Sequence, residues 1–164
     1  MLPIKFRHYI LLLLIPLISS CSHQVTYTHS ASRYAPQQQS LSPSAQQLLN
    51  VALQQQGIAY RYGGSKPSTG FDCSGFIQFS YGQAGRRIPR TTRAQYQSSQ
   101  AIPISQIRPG DLLFYETEGR RPGHVAMYLG RGEMIHAPSS GKHVLVSRLN
   151  NPYWRTRLLA AGRF

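Results

Sequence analysis

Apolar residues in this chain recur with two different periods, and the change from one to the other falls near Pro109-Gly110. Before that point the spacing is helical. Ala45, Leu48, Leu49, Ala52 and Leu53 repeat at i, i+3, i+4, i+7 and i+8, which predicts a one-sided helix that Ser44 is placed to cap and Gly57 to end. After the turn-rich stretch Gly63-Gly64-Ser65-Lys66-Pro67-Ser68, the residues Cys73, Phe76, Ile77 and Tyr81 predict a second helix with Cys73 in its first turn. Arg90 and Thr91 precede a third, shorter helix, in which Thr92 and Gln95 have capping-box spacing.

Beyond Pro109-Gly110 the pattern becomes strand-like. Segments 111–115, 124–129, 133–136, 143–147 and 157–164 are short and are separated by Gly, Pro and Asn signals. Helices followed by strands predict an α+β fold, with N-terminal helices packed on a mainly antiparallel β-sheet. In the segment from His124, alternation puts His124, Ala126 and Tyr128 on one face and Val125, Met127 and Leu129 on the other.

The N-terminus has a different character. Lys5, Arg7 and His8 precede an apolar run from Ile10 to Ile18, then Ser19, Ser20 and Cys21, the arrangement of an export signal. The run is short for a membrane span. A cysteine directly after Ile18-Ser19-Ser20 resembles the lipobox of bacterial lipoproteins. The resemblance implies removal of residues 1–20, lipid on Cys21, and, because Ser22 is not aspartate, an outer-membrane anchor facing the periplasm. A weakly cleaved signal or short hydrophobic tether remains the alternative. Residues 22–43 are rich in Ser, Gln, Tyr, His and Pro without apolar periodicity, so 21–43 reads as the lipidated cysteine and a flexible spacer, and 44–164 as one folded domain.

Charge narrows the partners. With Lys5 and Arg7 removed, 16 Lys and Arg stand against five acidic residues, which suits an anionic polymer or membrane face as well as simple solubility. Nucleic acid is a poor partner behind an export signal. No internal repeat or second domain is evident, and a monomer is the expected state.

If Cys21 carries lipid, Cys73 is the free thiol of the mature chain, in a compartment where unpaired cysteines are unusual. A helix N-terminus and a nearby imidazole both favour the thiolate, and the imidazolium so formed can protonate a leaving amine. Of the six histidines, His8 lies in the signal and His23 and His29 in the spacer, leaving His124, His136 and His143. Two neighbouring strands would bring His124 and His136 beside the Cys73 helix. His143 reads as a sheet-surface residue, and Tyr153 and Trp154 as core packing, with sugar stacking the alternative.

Six ordered blocks carry a resemblance. These are Tyr60-Arg61-Tyr62-Gly63-Gly64, Asp72-Cys73-Ser74-Gly75-Phe76, Pro89-Arg90-Thr91-Thr92, Pro109-Gly110-Asp111-Leu112, Gly123-His124-Val125 with Tyr128-Leu129-Gly130, and Ile135-His136-Ala137. In them residues 46–163 resemble the NlpC-type family of bacterial cell-wall peptidases, compact papain-like cysteine hydrolases. The resemblance implies Cys73 as nucleophile, His124 as base and then acid, and His136 as the group that orients His124. It implies an oxyanion site made by Tyr60 and the Cys73 N–H, and substrate contacts from Asp72 and Ser74. Arg90 is a candidate for substrate carboxylate or wall phosphate, or an internal brace. Asp72 is equally placed to cap its helix.

The implied substrate is a peptidoglycan stem peptide, cut at the γ-D-glutamyl to diaminopimelate bond or the D-alanyl to diaminopimelate crosslink, with no cofactor and no metal. Other readings stay open on the sequence alone. Cys73, His124 and His136 are zinc-type ligands without an evident fourth. A papain-like amidase or acyltransferase on another periplasmic amide, or a non-catalytic wall-binding lipoprotein, would carry the same residues.

Overall fold

A computed structural model describes residues 41–117 and 119–164. The signal segment, Cys21 and nearly all of the spacer lie outside the described residues. The first helix, α1 (Pro43–Gln54), is capped by Ser42, whose hydroxyl accepts from the Ala45 N–H, while Pro43 takes the first helical position. The expected cap at Ser44 is therefore displaced by two residues, because proline at a helix start has no N–H to satisfy and its fixed φ is already helical. Leu48, Leu49 and Ala52 form the buried stripe as the periodicity predicts.

Two short paired strands, β1 (Ser65–Lys66) and β2 (Gly70–Phe71), lead into α2 (Cys73–Gln83). A third helix, α3 (Thr92–Ser98), is capped by Thr91, which accepts from the Ala94 N–H. The capping box expected of Thr92 and Gln95 does not form. Gln95 is fully buried and sends its amide to the carbonyls of Ser74 and Pro89, tying α3 to the first turn of α2.

The remaining strands make one antiparallel sheet of six, in the order β3-β8-β4-β5-β6-β7. They are β3 (Gln100–Ile102), β4 (Leu112–Thr117), β5 (Arg120–Gly130), β6 (Glu133–His136), β7 (Leu145–Arg148) and β8 (Leu158–Arg163). A single-turn helix, α4 (Pro152–Arg155), joins β7 to β8. The α+β expectation holds. The small strands β1 to β3 and α4 have no counterpart in the predicted elements, being too short to show a period.

Alternation along β5 separates two cores as predicted. Val125, Met127 and Leu129 pack with the helices around Leu49, Phe71, Phe76 and Ile77. Ala126 and Tyr128 lie in a second cluster with Leu113, Tyr115, Met134, Ala161 and Trp154. His124 shares that second face, directly across from Tyr115 on β4.

Asp111 immediately precedes β4 and is 3% exposed. Arg163 at the end of β8 meets it with two nitrogens, at 2.6 and 2.7 Å, and the Arg108 N–H donates at 2.7 Å. Enclosing a carboxylate is costly unless such partners replace the water it loses. The pair thus joins the start of β4 to the end of β8.

Candidate active site

Two glycines bring α2 close to the Tyr60–Gly64 segment. A Cβ on Gly75 would strike the Gly64 carbonyl and crowd the Asp72 carboxylate, and one on Gly64 would strike the Gly70 carbonyl. The motif glycines thus permit contact between backbones. Asp72 caps α2, its Oδ1 accepting from the Gly75 N–H at 2.6 Å. Cys73 therefore occupies the first helical position, where backbone N–H groups lack intrahelical acceptors.

Arg90 forks onto both Asp72 oxygens, at 2.9 and 2.7 Å, and also donates to Ser74 Oγ at 3.0 Å and to the Gly64 carbonyl at 3.2 Å. The Gly63 N–H donates to Asp72 Oδ2 as well. Asp72, Ser74 and Arg90, expected as substrate contacts, are joined in an internal network and are absent from the lining of the cleft that holds Cys73. The capping and bracing alternatives are what the geometry realises. The carboxylate's acceptor sites are taken up by the chain's own donors, and ion pairing raises the Arg90 pKa further.

The histidines are placed by strand register. Met127 pairs with Ile135, so His136 falls one same-face step from His124, and its own strand pairs Met134 with Ser147. A diagonal of hydrogen bonds results across β5, β6 and β7: His124 Nε2 to His136 Nδ1 at 2.9 Å, and His136 Nε2 to Ser147 Oγ at 2.9 Å. Both imidazoles are buried. Burial and then the neighbouring His136 push the His124 pKa well down, and burial and then the Lys142 charge bring His136 to about 3. Both rings are neutral near pH 7.

Cys73 Sγ lies 3.5 Å from the Thr92 hydroxyl and receives backbone N–H groups from Val125 and Ser74. The Val125 contact sets the thiol against the strand beside His124. Burial nevertheless pushes the thiol pKa up, with the hydroxyl and the two N–H groups acting against it. The helix terminus and a neighbouring imidazole predict a thiolate at rest. Desolvation outweighs the helix terminus, so thiol and imidazole are both neutral before substrate arrives.

Tyr60, Cys73 and His124 line one open cleft of about 520 Å3, whose walls include Tyr62, Arg120, Lys142, Tyr153 and Trp154. That volume suits a peptide-sized ligand. Trp154 stacks on His124, with ring centroids 5.0 Å apart and planes at 27°, and meets His136 edge-on at 4.8 Å. Its expected packing role is met against Tyr115, but it also faces the cleft. His143 is exposed, in an isolated bridge with Ala59, as a surface residue should be.

Thr92, Ser147 and Lys142 were missed as site residues. Thr92 sits in a recognised block but serves the thiol only because α3 folds against α2. Ser147 reaches His136 through strand register alone, for which the chain carries no local mark. Among the described residues no cluster of three or more His, Cys, Asp or Glu side chains could hold a metal ion.

A papain-like α+β domain whose helix-N-terminal cysteine shares a cleft with a strand histidine, itself bonded to a second histidine, defines a class, and the comparisons agree. The NlpC/P60 family model matches residues 57–163, and the chain belongs to that family. Murein DD-endopeptidase MepH of Escherichia coli is 40% identical over 119 residues, covering 70% of this chain and 44% of MepH. The bifunctional muramidase/DL-endopeptidase CwlT of Bacillus subtilis is 39% identical over 118 residues, covering 71% of this chain and 35% of CwlT. The chain thus spans less than half the length of these curated relatives.

Solved structures are similar as well. An NLP/P60 family protein of Staphylococcus aureus, described as similar to lipoprotein, superposes with a TM-score of 0.68 at 36% identity, over 73% of this chain and 41% of that one. The NlpC/p60 domain of peptidoglycan hydrolase SagA gives 0.63 at 37% identity, over 73% of this chain and 98% of that domain.

Proposed function

We propose that this chain is a peptidoglycan endopeptidase that hydrolyses an amide bond of cell-wall stem peptides, or of their crosslinks, through a thioester on Cys73. The observation that carries the reading is that His124, which lines one cleft with the Cys73 thiol, is held from behind by the hydrogen-bonded line His124–His136–Ser147. Relatives named as DD- and DL-endopeptidases support the substrate class.

The line of bonds dictates the tautomers the chemistry needs. For His124 to accept the thiol proton at Nδ1, its own proton sits on Nε2 and is donated to His136 Nδ1. His136 then carries its proton on Nε2 and donates it to Ser147 Oγ. A neutral pair with this polarity is a base ready to act.

As Sγ attacks the scissile carbonyl carbon, its proton passes to His124 Nδ1 and the carbonyl π electrons move to oxygen. The oxyanion is held by the Cys73 N–H, a first-turn donor without a helical acceptor, and by the Tyr60 hydroxyl. The carbon–nitrogen bond breaks as His124 returns the proton to the departing amine, leaving a thioester. Water attacks this ester and gives a proton to His124, the carbon–sulfur bond breaks, and the sulfur takes the proton back. His136 takes no proton in either step; it holds the ring of His124.

The segment ending in Cys21 supports a place for this chemistry, with the domain tethered through lipid on Cys21 to a membrane facing the periplasm. Incorporation of labelled palmitate into the intact chain, and its loss in Cys21→Ser, tests the anchor. Digestion of defined muropeptides followed by mass spectrometry tests the activity and identifies the bond. An acyl fragment recovered joined to an acceptor amine, and not as the free acid that water would give, would replace hydrolysis with transfer.

A further inference from the structure

Among the described residues that line the cleft, the basic side chains of lysine and arginine are Lys142 and Arg120, and no carboxylate is among them. Both are exposed. A cleft walled by charge of one sign concentrates ligands of the other.

Lys142 is the better placed of the two, because its main chain is anchored on both sides. Its N–H donates to the Ser139 carbonyl at 3.2 Å, and its carbonyl accepts the Tyr60 N–H at 2.8 Å. The second bond ties the root of the lysine side chain to the residue beside the oxyanion position. Its charge is felt at the other end of the site too, where it acts on His136. Neither neighbour supplies a counter-charge, since the three ion pairs found among the described residues lie elsewhere, on Asp72, Glu116 and Asp111.

We propose that the cleft takes its peptide as an anion, and that Lys142 reads an ionised carboxylate lying within a few bonds of the scissile amide. This rests on the wall-peptide reading given above and sharpens it. A γ-linked glutamate keeps its α-carboxyl group free, and diaminopimelate in a crosslink keeps a carboxyl on the carbon bearing the linked amine. Amidation turns either into a neutral carboxamide of almost the same shape. The cleft therefore separates acidic from amidated stem peptides by charge and not by size. Arg120, on the β4–β5 hairpin and in the same lining, adds to the field.

The chain carries one tryptophan, and Trp154 lines this cleft, so its fluorescence reports occupancy without turnover. The experiment pairs stem peptides differing only in carboxylate or carboxamide beside the scissile bond. Binding is titrated by fluorescence on Cys73→Ala, and kcat and KM are measured on the active chain and on Lys142→Gln and Lys142→Arg. The expected result is binding about tenfold tighter for the acidic peptide, carried mainly in KM, weakening as salt is raised. Lys142→Gln brings the ratio of the two peptides close to one, and Lys142→Arg restores most of it.

Turnover of both peptides with equal kcat/KM, or a full preference surviving in Lys142→Gln, overturns the inference and leaves the endopeptidase reading standing. Tighter binding of the acidic peptide with no turnover of either upholds the anionic cleft and removes the endopeptidase. Thermal unfolding of each variant confirms that the fold is kept.

Discussion

The indole of Trp154 lies over the imidazole of His124 at 5.0 Å between centroids and 27° between planes. Its edge contact with His136 means that one side chain from a single-turn helix braces both histidines. In the proposed reaction His124 takes the thiol proton and becomes a buried cation, which burial and the neighbouring His136 both oppose. An aromatic face offsets part of that cost, by about 0.5–2 kcal/mol.

Trp154→Ala should accordingly lower kcat by about tenfold, and Trp154→Phe, which keeps a π face, should recover most of it. The rate of Cys73 alkylation by iodoacetamide should fall in parallel, since it reads proton transfer from the thiol without peptide. Unchanged alkylation would restrict Trp154 to packing against Tyr115.

Cys73→Ala should abolish peptide cleavage and leave thermal unfolding within a degree or two, because a small half-buried thiol contributes little packing. Tyr60→Phe should fold and lose about a hundredfold in kcat, the usual cost of one oxyanion donor. Full turnover by Cys73→Ala would refute the thioester route.

His136→Ala should reduce the rate only partly, since orientation and not proton transfer is removed. Ser147→Ala should act in the same direction and more weakly, because it leaves His136 Nε2 without its acceptor. Equal rates for wild type and both variants would mean that another group orients His124.

The depressed histidines make stability depend on pH with a definite sign. Above pH 6.5 they are neutral both folded and unfolded, and they impose no slope. Between 6.5 and about 3 the unfolded chain binds a proton on His136 that the folded chain refuses. Stability is then lost by about 1.4 kcal/mol per pH unit for each such histidine. Denaturant melts from pH 7 to pH 4 should show the fall, and His136→Gln should make it shallower, leaving the part that belongs to His124. For the same reason, the acid limb of kcat/KM should lie well below pH 6.5.

Arg163→Met should cost about 3 kcal/mol of stability, at the low end for a broken buried pair because the arginine is 33% exposed. Asp111→Asn in the same chain should recover much of that loss, since no uncompensated carboxylate remains. Urea unfolding of the single and double variants gives the coupling. Additive losses would show that the pair does not act as one.

Much of this was visible in one dimension. The apolar stripes of α1 and α2, the switch to strands after Pro109-Gly110 and the two faces of β5 are local patterns, and each corresponds to an element in the structure. Cys73, His124 and His136 were legible because the motif blocks around them bear the family resemblance. Ser42 and Thr91 as caps were misjudged by one or two positions, where several hydroxyl residues stand together and the chain's path decides which one turns inward.

What the sequence determined by itself is periodicity, motif order and residue chemistry, since hydrophobic spacing and backbone preference act over a few residues. The tertiary structure alone decided how the charged and polar groups are used. Asp72, Ser74 and Arg90 turned toward one another because folding places α2, the Gly64 turn and the Arg90 segment in contact. Ser147 reached His136 through the register of three strands, and Trp154 reached His124 across a loop. The resting protonation followed from enclosure, because desolvation depends on every element around a group and no stretch of chain carries it.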